Sequence, residues 1–142
     1  MILTQKDIRT LRPNFDLSQP INLLRIACGA FLIPHVFGKF ADGVPSPGVV
    51  GFFAKAGLMP PEFWVVVAAT VEMCAGVALI LGVCTRWAAL AAAALLMVAS
   101  YALQVVKGFG WAWNLGGVEY LVFWILSCLV VAMDSWRGQN SL

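Results

Sequence analysis

The stretch FWVVVAATVEMCAGVALILGV, residues 63–83, decides the fold. Only Thr70 and Glu72 interrupt its apolar run. Its length meets the ~20 residues that a helix needs to cross the hydrocarbon core of a bilayer. The apolar residues do not alternate with polar ones, as the strands of a membrane barrel would. Lipid admits only helices and closed barrels, so the stretch reads as a transmembrane helix.

Working outward, three further runs qualify: Ile21 to about Phe40, Trp87 to Val106, and Gly117 to Met133. The expected fold is an all-α integral membrane protein. Four transmembrane helices at about 21–40, 62–83, 87–107 and 117–134 form one bundle. Composition agrees. Of the 142 residues, 61% are hydrophobic and 11% charged. An ordinary globular chain runs at roughly 45–50% apolar and about 25% charged. A water-soluble globule and a disordered chain are both excluded. The net charge of +2 comes without a basic run, so no nucleic-acid partner is expected.

Between the first two spans, residues 41–61 carry Pro45, Pro47, Gly48, Pro60 and Pro61. The apolar segment Val49–Leu58 is too short to span. It reads as a short interfacial helix or a lid over the bundle. Pro60 and Pro61 open the second span, with Glu62 in its first turn. Residues 1–20 form a cytoplasmic lead-in, not a cleavable signal, with a short surface helix over 3–11. The four-helix domain covers 21–134, and 135–142 form a cytoplasmic tail.

An even number of spans puts both termini on one side. That side carries Lys6, Arg9, Arg12, Arg86 and Arg137, and the other Lys39, Lys55 and Lys107. The excess favours cytoplasmic termini. Trp64, Trp87, Trp111, Trp113 and Trp136 fall at helix ends, as an aromatic belt requires, while Trp124 falls inside the fourth span. The third span is alanine-rich, which suits close helix packing and makes it the central or oligomer-facing helix.

The polar residues inside the spans carry the functional signal. An ionisable group at mid-helix costs about 2.5–3.5 kcal/mol on insertion scales. Arg25, Gly29, Leu32, Val36 and Lys39 form one stripe of the first helix, with Cys28 and His35 at its margin. Glu72 lies roughly 15 Å deep, at mid-bilayer. It cannot reach the interface and needs a hydrogen-bond or cationic partner, with Arg25 and His35 the expected cations. Arg25 either pairs or snorkels to the headgroups. Lys39 is expected to face the bundle interior, the alternative being that it snorkels outward as Lys107 does. Gln104 marks a polar stripe of the third helix, and Glu119 opens the fourth. The candidate polar pocket is Arg25, His35, Lys39, Glu72, Gln104 and Glu119. Its proton-handling candidates are Glu72, His35 and Glu119. Cys28, Cys74, Cys84 and Cys128 form no C-x-x-C pair and read as packing residues. The single histidine excludes a haem held by two histidines of one chain, and no metal site is expected.

These motifs resemble the DoxX family of small four-helix bacterial membrane proteins. The matching pieces are Leu24-Arg25 with Gly29, His35 with Gly38-Lys39, and Val71-Glu72 with Gly76. Next come Leu79–Gly82 turning into Thr85-Arg86, then Gly116-Gly117 with Glu119-Tyr120. The resemblance covers about residues 21–133. It implies a multi-pass protein of the bacterial inner membrane, related to a subunit associated with thiosulfate:quinone oxidoreductase. It also implies links to membrane redox complexes and oxidative-stress defence. A more distant likeness to four-helix quinone-linked thiol reductases lacks their C-x-x-C, so dithiol chemistry does not carry over.

The reading that follows is an accessory or quinone-interacting subunit of a membrane oxidoreductase. His35 would exchange a proton with quinone, and Glu72 would relay it. The chain carries no redox centre of its own, so a partner would supply the electron carrier. The expected surroundings are the lipid bilayer, further copies of the chain or a membrane complex. The alternatives are a non-enzymatic assembly scaffold and a small oligomeric transporter.

Overall fold

The computed structural model describes residues 12–140. The surface helix expected over 3–11 lies outside the described residues. Five α-helices follow one another: α1 (Pro20–Phe37), α2 (Pro47–Lys55), α3 (Pro61–Leu81), α4 (Thr85–Lys107) and α5 (Glu119–Asn140). Four of them, α1, α3, α4 and α5, are long and apolar enough to cross a membrane. The protein is an all-α, four-helix membrane-spanning bundle.

α1 packs along α3, α3 along α4, α4 along α5, and α5 returns to α1. Successive spans cross in opposite directions, so neighbouring spans run antiparallel. One end of the bundle gathers the start of α1, the α3–α4 turn and the end of α5. The other, the loop end, gathers the two longer connections.

Local chemistry sets the helix boundaries. Ser18 donates its hydroxyl (2.7 Å) and its backbone N–H (3.0 Å) to Asp16 Oδ1, and these bonds hold that exposed carboxyl below its usual range. This turn leads into Pro20, whose ring suits the first helical position. α1 ends at Phe37, three residues before the sequence pattern suggests. The chain then enters a small hairpin, β1 (Phe40–Ala41) against β2 (Val44–Pro45), closed through Asp42 and Gly43 at φ 53° and 80°. Lys39 therefore lies in the turn after α1, not on it. α3 ends at Gly82, left-handed at φ 72°, and Val83 N–H closes the helix on Ala78 O at 2.9 Å. This arrangement satisfies carbonyls that the helix end would leave orphaned. α5 begins at Glu119, not 117, and continues past Met133 to Asn140. Loss of hydrophobicity alone does not stop a helix, and no proline interrupts residues 134–140.

Close contact is made by small residues. Gly29 of α1 faces Gly76 of α3. A Cβ on Gly29 would lie 2.6 Å from Gly76 O and 2.8 Å from Leu79 Cβ. On α4, Ala88, Ala89, Ala92 and Ala93 are buried against Cys128, Val131 and Ala132 of α5. Cys28 of α1 and Cys128 of α5 are both buried in the core, while Cys74 is exposed. Large apolar residues such as Phe31, Val66, Val98, Phe123 and Val130 stay exposed, as lipid-facing positions do.

Candidate functional site

The residues buried on α1 are Arg25, Cys28, Gly29, Leu32 and Val36, which continue the stripe that ends at Lys39. The stripe carries one cation near each end of the helix. The structure gives these two cations different work.

At the end holding the chain's first span residue, Arg25 reaches α3. Its guanidinium donates to Leu79 O, to Ile80 O at 3.0 Å, and to Asn14 O. Asn14 Nδ2 in turn donates to Gly82 O at 3.3 Å. Leu79 and Ile80 belong to the last turn of α3, whose carbonyls lack helical partners. A fork of donors carrying positive charge satisfies them and complements the helix dipole. Arg25 is thus neither a snorkelling group nor the partner of Glu72. It ties the start of α1 to the end of α3.

Toward the loop end, Lys39 turns inward. Its ammonium donates to Glu72 Oε1 at 2.7 Å, to Glu72 Oε2 at 2.6 Å and to His35 O at 3.2 Å. The side chains are 12% and 7% exposed. Glu72 takes its cation from Lys39, correcting the expectation of Arg25 or His35. Arg25 is engaged one α3 half away, and His35 offers Lys39 only its carbonyl. Gly38 keeps right-handed helical geometry, φ −64° and ψ −13°, and the turn carries Lys39 onto Glu72.

The ion pair forms part of the wall of a cavity of about 900 Å³. Its walls are mostly apolar. They include Leu32 from α1, Phe52 and Phe53 from α2, Val71 from α3, Leu95 and Ala99 from α4, and Leu121 from α5. Among the described lining residues, the titratable ones are His35, Lys39, Glu72 and Tyr120. Trp64 and Trp124 also line it. Trp124, the tryptophan set inside its span, stacks beside His35 with ring centroids 5.7 Å apart and an interplanar angle of 49°. Its Nε1 donates to Cys28 O at 3.3 Å, pinning α5 to α1.

The six sequence candidates therefore separate. His35, Lys39 and Glu72 share the cavity. Arg25 caps α3, and Gln104 and Glu119 do not line the cavity. Both are half-buried, Gln104 near the end of α4 and Glu119 in the first turn of α5, where a carboxylate suits the helix dipole. Tyr120, Trp64 and Trp124 are cavity residues that sequence reading did not select. The signal for Trp124 was present, because it alone among the tryptophans lies away from a helix end.

The sequence model of the DoxX family matches residues 21–105. The chain belongs to the DoxX family. The matched region carries α1, α2, α3 and most of α4, and with them Arg25, His35, Lys39 and Glu72. The last DoxX-like motif read in the sequence, Gly116-Gly117 with Glu119-Tyr120, lies beyond it. No curated protein and no solved structure matches the chain.

Proposed function

We propose that this DoxX protein is an accessory, quinone-interacting subunit of a membrane oxidoreductase. One observation carries the reading: an apolar cavity of about 900 Å³ in a membrane bundle whose wall holds the Lys39–Glu72 pair, His35 and Tyr120. Ligand sites are typically clefts of about 300–1,000 Å³, lined by apolar groups with a few placed polar ones. A quinone matches that chemistry, with an apolar tail and a ring edged by oxygens. His35 and Glu72 are the groups that would give and take its protons. Electrons would pass to or from a partner subunit.

The site faces the loop end. The Lys and Arg counts at the two ends support cytoplasmic termini. In that orientation α2 lies on the outer surface of the bundle as an interfacial cover, with Phe52 and Phe53 turned to the cavity. The natural setting is the bacterial inner membrane, with further copies or a redox partner alongside.

The test is purification in mild detergent, followed by mass spectrometry of extracted small molecules and co-purifying proteins. Quinone or quinol at near-stoichiometric level supports the reading. A stoichiometric partner protein with no bound quinone would replace it with the scaffold reading.

A further inference from the structure

The cavity wall has a hydrogen-bonding polarity that selects among ligand headgroups. The ammonium of Lys39 and the two indole N–H groups in that wall are already engaged. An ammonium carries three hydrogens. Those of Lys39 meet Glu72 Oε1 at 2.7 Å, Glu72 Oε2 at 2.6 Å and His35 O at 3.2 Å. The Trp64 indole N–H donates to Met59 O at 3.2 Å, and that of Trp124 to Cys28 O at 3.3 Å.

The acceptors are not used up. A carboxylate accepts at about four lone-pair positions. Among the described residues, Lys39 fills two of those of Glu72, one on each oxygen, and no other donor reaches them. The Glu72 side chain is 7% exposed, and the residue lines the cavity. His35 and Tyr120 do not decide the matter, because an imidazole and a phenol each donate and accept.

We infer that the ligand of this cavity is an amphiphile whose headgroup donates a hydroxyl hydrogen to Glu72, such as a phenol or quinol. A headgroup that only accepts, such as a carbonyl or carboxylate, is disfavoured. A fatty carboxylate would meet a like charge at Glu72 and find no free hydrogen on Lys39. At Glu72 a quinone carbonyl would meet lone pairs. A quinol hydroxyl completes a half-satisfied buried acceptor, which is costly to leave open. The inference rests on the cavity being a ligand site. Within the quinone-linked reading it assigns the resting site to the reduced form.

The experiment uses the full chain in mild detergent and four probes with the same decyl tail: decyl-ubiquinol, decyl-ubiquinone, para-decylphenol and decanoate. Binding is measured by isothermal titration calorimetry under anaerobic conditions. The expected result is that the quinol and the phenol bind at least tenfold more tightly than the quinone and decanoate. Glu72→Gln releases the Lys39 donors, so the preference should shift toward the quinone and decanoate. If the phenol binds and neither quinone form does, the hydroxyl-donor inference stands and the quinone reading falls. If the quinone or decanoate matches the quinol and phenol in the parent protein, the inference is overturned while a quinone site remains. If no probe binds, both fall. The parent protein alone decides these outcomes, so they hold even if Glu72→Gln fails to fold.

Discussion

Replacing Lys39 by Met removes both charge-assisted bonds to Glu72, at 2.7 and 2.6 Å, and leaves a carboxylate only 7% exposed without its cation. Breaking a buried pair from one side costs about 3–5 kcal/mol, because the stranded charge keeps its desolvation penalty. Glu72→Leu strands the ammonium instead. Lys39 is 12% exposed on a flexible stem, so it can relax toward water, and the loss should fall at the lower end of that range. If the two losses were independent, the double variant would lose roughly 6–8 kcal/mol. It should not. Methionine and leucine together complete a wall that is already apolar, and replacing a buried pair by apolar residues is often neutral. The double variant should therefore lie within about 2 kcal/mol of the parent, with a coupling energy of at least about 3 kcal/mol. The measurement is equilibrium unfolding of all four proteins in mixtures of mild and denaturing detergent, monitored by tryptophan fluorescence. Additivity within about 0.5 kcal/mol would mean that the residues do not interact energetically, and the ion pair would lose its place in the site.

Three further outcomes test the frame around the site. Gly29→Ala should cost about 1–3 kcal/mol, because the new Cβ would stand 2.6 Å from Gly76 O, whereas Gly48→Ala, with nothing within 4 Å, should be neutral or slightly stabilising. Equal melting temperatures for the two variants would refute the close α1–α3 crossing. Arg25→Met should lower stability by about 1.5–3 kcal/mol through the lost charged hydrogen bonds, and Arg25→Lys should recover only part of it, since one ammonium cannot reproduce a planar fork across several carbonyls. Full recovery by lysine would reduce Arg25 to a point charge. In a cysteine-free background, Ser46→Cys should react with an impermeant thiol reagent applied to intact cells, and Ser18→Cys only after lysis. The reverse pattern would invert the proposed orientation.

The spans were legible because a bilayer imposes one-dimensional rules. Residues 63–83 had to be a helix, since lipid cannot satisfy an unpaired backbone and the run is long enough to cross. The same rule marked the other three spans, and Pro60-Pro61 marked the start of α3 by local geometry alone. The α1 stripe from Arg25 to Val36 was readable from helical spacing, and the need of Glu72 for a partner followed from its depth. The identity of that partner did not. Arg25 and Lys39 sit on the same stripe, and spacing cannot say which one meets Glu72. That depends on where α3 crosses α1, set by the Gly29–Gly76 contact, and on the turn after Phe37 that presents Lys39 to Glu72. The same crossing places the last carbonyls of α3 beside Arg25 and commits that charge elsewhere. The cavity is likewise a property of the assembled bundle. It is the space left where α1, α3, α4 and α5 meet beneath α2. No single helix encodes it, because its volume is set by side chains far apart in the chain that become neighbours only when the helices pack.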